Sequence, residues 1–71
     1  MPKSFKEQIH NSVQAAREKK GLSQQGLAEA VDVSRQTISA IEKGNYAATV
    51  LLAMKIATHF NLRVEDIFSY E

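Results

Sequence analysis

The 71-residue chain has no cysteine, so neither a disulfide nor a thiolate zinc site can brace it. No apolar run approaches the roughly 18 residues that a membrane span needs. The opening MPKSFKEQIH lacks the apolar segment of a secretory signal, and the chain reads as cytoplasmic. Charge of one sign is lacking too: nine Lys and Arg face eight Asp and Glu, leaving +1. Positions 1–45 hold seven bases and five acids, and positions 46–71 hold two bases and three acids. So mild an asymmetry does not by itself point to nucleic acid. There is no low-complexity run, no repeat and no long linker, and no period-two alternation long enough for a strand.

A chain of this length supports one small domain. Surface scaling for its mass gives about 4,400 Å² folded against about 11,500 Å² unfolded, so about 60% would be buried. That is marginal, and it calls for close helix packing, a partner subunit, or both. A deep substrate pocket would be hard to enclose, which argues against an enzyme. The two histidines, His10 and His59, are far apart and read as surface residues. With no cysteine beside them, too few ligands converge for a metal, and no cofactor is implied. Ser34 has no His or Lys base at useful spacing to make it a nucleophile. Met54 reads as core filler.

Five helix signals follow one another closely. Ser4 with Glu7 fits a capping box, and Phe5, Ile9, Val13 and Ala16 then fall on one helical face. Gly21 ends that helix. Ser23 starts the second, with Leu22 and Leu27 as a hydrophobic staple, and it runs to about Val31, where Asp32 tolerates positive φ. Ser34 starts the third, with Val33 and Ile38 as a second staple, and Gly44 closes it. Ile38 and Ile41 share its inner face, leaving Arg35, Gln36, Ser39 and Ala40 to point elsewhere. Thr49 caps a fourth helix carrying Val50, Leu52, Ala53, Ile56, Ala57 and Phe60, with Asn61 as its exit. A short fifth helix spans about Val64 to Phe68. The expected class is all-α, a compact five-helix domain over residues 1–71.

At the centre, Gln24 to Val31 and Ser34 to Glu42 are separated by a tight turn, the spacing of a helix-turn-helix. Ala28 is small where the two helices must cross. Such packing projects the N-terminal end of the second helix outward, able to enter a major groove. The block GLSQQGLAEAVDVSRQTISAIEKGNY, followed by LLAMKIATHFNLRVEDIF, resembles the Xre/Cro-type, lambda-repressor-like helix-turn-helix family of bacterial and phage regulators. It is most similar to minimal single-domain members. The resemblance covers about residues 5–68, with the motif itself at about 23–43. The chain departs from the family's usual pattern at Gly26, where an acid is common, at Ala48-Thr49, where Pro-Ser is common, and at Arg63, where a Ser-like cap is usual.

The resemblance implies roles. Arg35, Gln36, Ser39 and Ala40 would meet base edges. Gln24, Ser34, Thr37, Lys43, Asn45 and Tyr46 would hold phosphates, although Tyr46 could equally pack on the core edge. Arg17 would pair with Glu42, tying the first helix to the third. The chemistry agrees independently: Arg suits bidentate contact with guanine and Gln with adenine, each worth roughly 1–3 kcal/mol of discrimination. Lys19 and Lys20 complement the dipole at the end of the first helix.

Leu51 adjoins Leu52 and cannot share its inward face. With Val64, Ile67, Phe68 and Tyr70 it would form an apolar patch for a second copy, making positions 49–71 the dimerisation region. The expected function is a sequence-specific DNA-binding transcriptional regulator. It would act as a repressor, binding double-stranded DNA at a palindromic operator as a homodimer through residues 34–42. The alternative is the antitoxin of a toxin–antitoxin pair, with a toxin protein on the C-terminal patch.

Overall fold

Three hydroxyl side chains start three of the helices. Ser23 Oγ accepts from the Gly26 N–H at 2.9 Å, Ser34 Oγ from the Thr37 N–H at 3.2 Å, and Thr49 Oγ1 from the Leu52 N–H at 3.1 Å. Each satisfies a donor that the first helical turn leaves without an intrahelical partner. In the computed structural model, which describes residues 9–45 and 48–70, the helices are α1 (Val13–Lys19), α2 (Gln24–Val31), α3 (Arg35–Glu42), α4 (Val50–His59) and α5 (Val64–Ile67).

Four of these helices end by one device. Gly21, Asp32, Gly44 and Asn61 all take positive φ, between 60° and 80°. At each, the next residue's N–H returns into the last turn: Leu22 to the Arg17 carbonyl, Val33 to Ala28, Asn45 to Ala40 and Leu62 to Ala57, at 2.8–3.0 Å. This is the Schellman exit, and it turns the chain sharply enough for very short connections. The α5 entry is built differently: the Arg63 N–H donates to Asp66 Oδ2 at 2.9 Å.

The core gathers Val13 from α1, Leu27, Ala28 and Val31 from α2, Ile38 and Ile41 from α3, Leu52, Ile56, Ala57 and Phe60 from α4 and its end, and Ile67 from α5. Leu22 and Val33 pack against it, as the two staples require. Met54 is 54% exposed, so the reading of it as core filler fails. It lies two residues from both Leu52 and Ile56, on the opposite side of α4.

The chain ends depart from the sequence reading. Residues Ile9–Asn11 form a strand, β1, and Phe68–Tyr70 a second, β2, paired antiparallel with Ile9 opposite Tyr70 and Asn11 opposite Phe68. The Ser12 N–H extends the ribbon to the Ile67 carbonyl at 3.0 Å. The first helix therefore begins at Val13, not Ser4, and the fifth stops at Ile67, not Phe68. The physical reason is pairing at long range. Once α5 is seated, residues 68–70 offer 9–11 a row of backbone partners, and the helical spacing of Ile9 with Val13 is outweighed. The Ser4–Glu7 capping box and Phe5 lie outside the described residues.

Candidate nucleic-acid interface

α3 is amphipathic because its apolar residues fall three apart. Ile38 and Ile41 are buried in the core, on the side of α3 that packs against α2, while Arg35 and Gln36 are exposed. Ser39 and Ala40 are half-buried on the same helix. The turn before α3 is held by the Val33 N–H on the Ala28 carbonyl at 2.9 Å, and Ala28 itself is fully buried. A larger residue there would drive the two helices apart. Ser34 and Thr37 share a further hydroxyl–hydroxyl hydrogen bond of 3.0 Å. The hydroxyls at the entrance of α3 are thus ordered by each other. The free N–H groups and positive dipole end of this first turn favour an anion close by.

The far end of α3 is tied down from several sides. Arg17 Nε donates to Glu42 Oε2 at 2.7 Å and Nη2 to Oε1 at 3.2 Å, a bidentate pair. Arg17 Nη1 also donates to the Leu22 carbonyl at 2.8 Å. The two side chains retain only 11% and 3% of their accessible surface. Burial pushes the Glu42 carboxyl up, but the hydrogen bonds from Arg17 and Gln24 and the Arg17 charge together outweigh it and hold the group below the usual range. Arg17 is raised above its ordinary value, first by its hydrogen bond to Glu42. The pair expected between α1 and α3 is therefore present, and its geometry marks it as structural.

Gln24 carries a feature the sequence did not disclose. Its Nε2 donates to Glu42 Oε1 at 3.0 Å, so a residue assigned to phosphate is already engaged with α3. A carboxamide nitrogen has a second N–H to offer a ligand. Lys43 and Asn45, at the α3 exit, are exposed. Tyr46 lies outside the described residues. Asn11 was missed altogether: its Nδ2 donates to the Ile41 carbonyl at 2.8 Å. An Asn just ahead of a helix is a faint local signal, and nothing near it in the sequence names its distant partner.

The C-terminal patch divides. Leu51 and Tyr70 are 64% and 73% exposed, as an interface would require. Val64 and Phe68 are half-buried and pack against the core. Ile67 is only 3% exposed and belongs to the core, so its assignment to a subunit interface is wrong. It points inward because α5 presents that side to α4. Two residues not assigned to the patch join it, Ile9 and Val50, at 42% and 77% exposure. Both line a shallow apolar groove with Ala48, Ala53, Val64 and Phe68. Among the described residues no helix is long and apolar enough to cross a membrane.

Residues 13–67 match the family described as Helix-turn-helix. The chain is 48% identical over 63 residues to the uncharacterized HTH-type transcriptional regulator YgzD of Bacillus subtilis, covering 89% of this chain and 96% of that one. It is 49% identical over 63 residues to an uncharacterized HTH-type transcriptional regulator of Methanocaldococcus jannaschii, with the same coverages. Among solved structures it resembles the restriction-modification controller protein C.AhdI of Aeromonas hydrophila, with a TM-score of 0.71, 26% identity, and coverage of 76% of this chain and 82% of that one. The transcriptional regulator VanUg shares the fold at a TM-score of 0.74 and 20% identity, over 92% of this chain and 87% of that one. With the motif's turn, its capped helices and its exposed α3 face all in place, the chain belongs to the Xre/Cro-type helix-turn-helix family of DNA-binding transcriptional regulators.

Proposed function

We propose that the protein is a sequence-specific repressor that binds a palindromic operator as a homodimer, reading each half-site with α3. The observation that carries this reading is the division of α3: its apolar residues are buried in the core, and Arg35 and Gln36 stand exposed at its entrance. Arg35, Gln36, Ser39 and Ala40 meet base edges. Gln24, Ser34, Thr37, Lys43, Asn45 and Tyr46 hold phosphates and set the register. The relatives named as transcriptional regulators support this over the antitoxin alternative. The protein acts in the cytoplasm as one domain, with positions 49–71 serving dimerisation.

The exposed apolar residues Leu51, Tyr70, Ile9 and Val50 support a two-fold dimer, with Val64 and Phe68 at its edge. Such a dimer presents two α3 helices to successive major grooves, with half-sites about 10 bp apart. Selection of bound sequences from random DNA tests the whole reading. A palindrome is expected, and a single asymmetric half-site would overturn the dimer. On the selected operator, followed by fluorescence anisotropy, Arg35→Ala weakens binding and relaxes preference at one base pair. Lys43→Ala weakens all sequences alike and makes the salt slope shallower by roughly one unit. If neither variant changes binding, the assigned face is wrong.

A further inference from the structure

The Ile41 carbonyl oxygen has two donors. The Gly44 N–H reaches it at 3.0 Å within the Schellman exit of α3. Asn11 Nδ2 reaches it at 2.8 Å from β1, 30 residues away in sequence. The same carboxamide also turns its Oδ1 to the Val13 N–H, at 3.1 Å, where α1 begins. Ser12, the residue next to that entrance, supplies no side-chain cap of its own. The backbone of Asn11 is meanwhile paired with Phe68 in the ribbon. One side chain thus joins the β1–β2 ribbon, the start of α1 and the end of α3. A carboxamide can do this because it places a donor and an acceptor on one rigid plane.

The loop that this contact holds carries Lys43 and Asn45. Glu42, next to Ile41, is fastened independently by Arg17 and Gln24 from α1 and α2. Asn11 adds the fastening from the ribbon side. The entrance of α3, with Arg35 and Gln36, lies more than a turn upstream, and among the described residues it has no such link to β1.

We propose that Asn11 is a positioning residue for DNA binding, fixing the α3 exit and its Lys43 and Asn45 phosphate donors through the Ile41 carbonyl. This rests on the reading of α3 as the recognition helix. It makes a distinctive statement: losing the Asn11 donor weakens operator and random duplex by a similar factor, and base preference survives. A residue serving stability alone would lower the melting temperature and leave the salt slope of the folded protein unchanged.

Asn11→Ser makes the test. It is uncharged, keeps an oxygen for the Val13 N–H, and is too short to reach Ile41. On the selected operator and on random duplex, binding is expected to fall about fivefold, the effect of one ordinary hydrogen bond. The salt slope becomes shallower by about one unit. Amide exchange at Gly44 and Asn45 rises about tenfold, while Leu27 and Val31 in α2 keep their wild-type rates. Wild-type binding together with an unshifted slope in the folded variant overturns the inference alone. Absence of wild-type binding overturns the reading of α3 beneath it. Should the variant not fold, the wild-type protein decides. Slow exchange of the Asn11 carboxamide protons supports the contact, and exchange as fast as an exposed Asn overturns it.

Discussion

The N-terminal end of α3 presents Arg35 and Gln36 to solvent, and its C-terminal end spends its polar groups internally. Glu42 takes three hydrogen bonds from Arg17 and Gln24, and the Ile41 carbonyl takes one from Asn11. The Arg35 side chain has no hydrogen bond or ion pair of this kind among the described residues. A reading surface needs donors that are uncommitted before DNA arrives, on a helix that does not move when they engage. Under the proposed reading, fastening the helix at its exit would supply the second condition and leave Arg35 and Gln36 uncommitted. Net charge near zero fits the proposed reading, in which well-placed donors would do the work of a diffuse basic surface.

Six substitutions would break or sharpen this contrast. The largest effect belongs to the buried face beneath both ends: Ile38→Ala and Ile41→Ala should each cost about 2–5 kcal/mol in urea unfolding, since both are almost wholly buried. If only Ile41→Ala is costly, the entrance of α3 is less firmly seated than its exit.

Arg17→Ala should follow, at about 2–3 kcal/mol, because it leaves Glu42 buried with only Gln24 as a donor. The same site has a pH signature. The Glu42 carboxyl is depressed in the folded state, so its stabilisation is complete above roughly pH 5 and is lost as pH falls through the depressed value. Glu42→Gln should therefore be less stable than wild type at neutral pH and flatter in stability below about pH 4.5. A parallel decline in the two proteins would show that Glu42 is not the group titrating.

Ser34→Ala removes the cap at the entrance and should cost about 1 kcal/mol. It also frees the Thr37 hydroxyl from its partner. Smallest of all, Arg35→Ala should change stability by less than about 0.5 kcal/mol, as an exposed side chain does. Its loss should appear in DNA binding. A large stability change at Arg35 would mean that the reading end is fastened after all.

The helix-turn-helix was legible because its signals are local. A cap oxygen acts on an N–H three residues away, and a Schellman exit closes within one turn, so Ser23, Ser34, Thr49, Asp32 and Asn61 could be read without knowing the fold. Arg17 and Glu42 were recoverable only through the family likeness. The apolar patch was half legible: Leu51 could not share a face with Leu52, and this alone implied its exposure. Ile67 was misassigned because a four-residue helix has too little periodicity to say which side faces the core.

The sequence by itself determined where α2, α3 and α4 start, where α1 to α4 end, and that Leu27, Ala28, Ile38 and Ile41 pack inward, since each choice rests on spacing and side-chain chemistry within a few residues. Tertiary structure decided the rest. It turned residues 9–11 into a strand by bringing 68–70 alongside. It placed Gln24 on Glu42, and it carried the Asn11 carboxamide to the Ile41 carbonyl. Each of these depends on hydrogen bonds between segments distant in the chain. Such partners meet only after the helices have packed, so no local pattern encodes them.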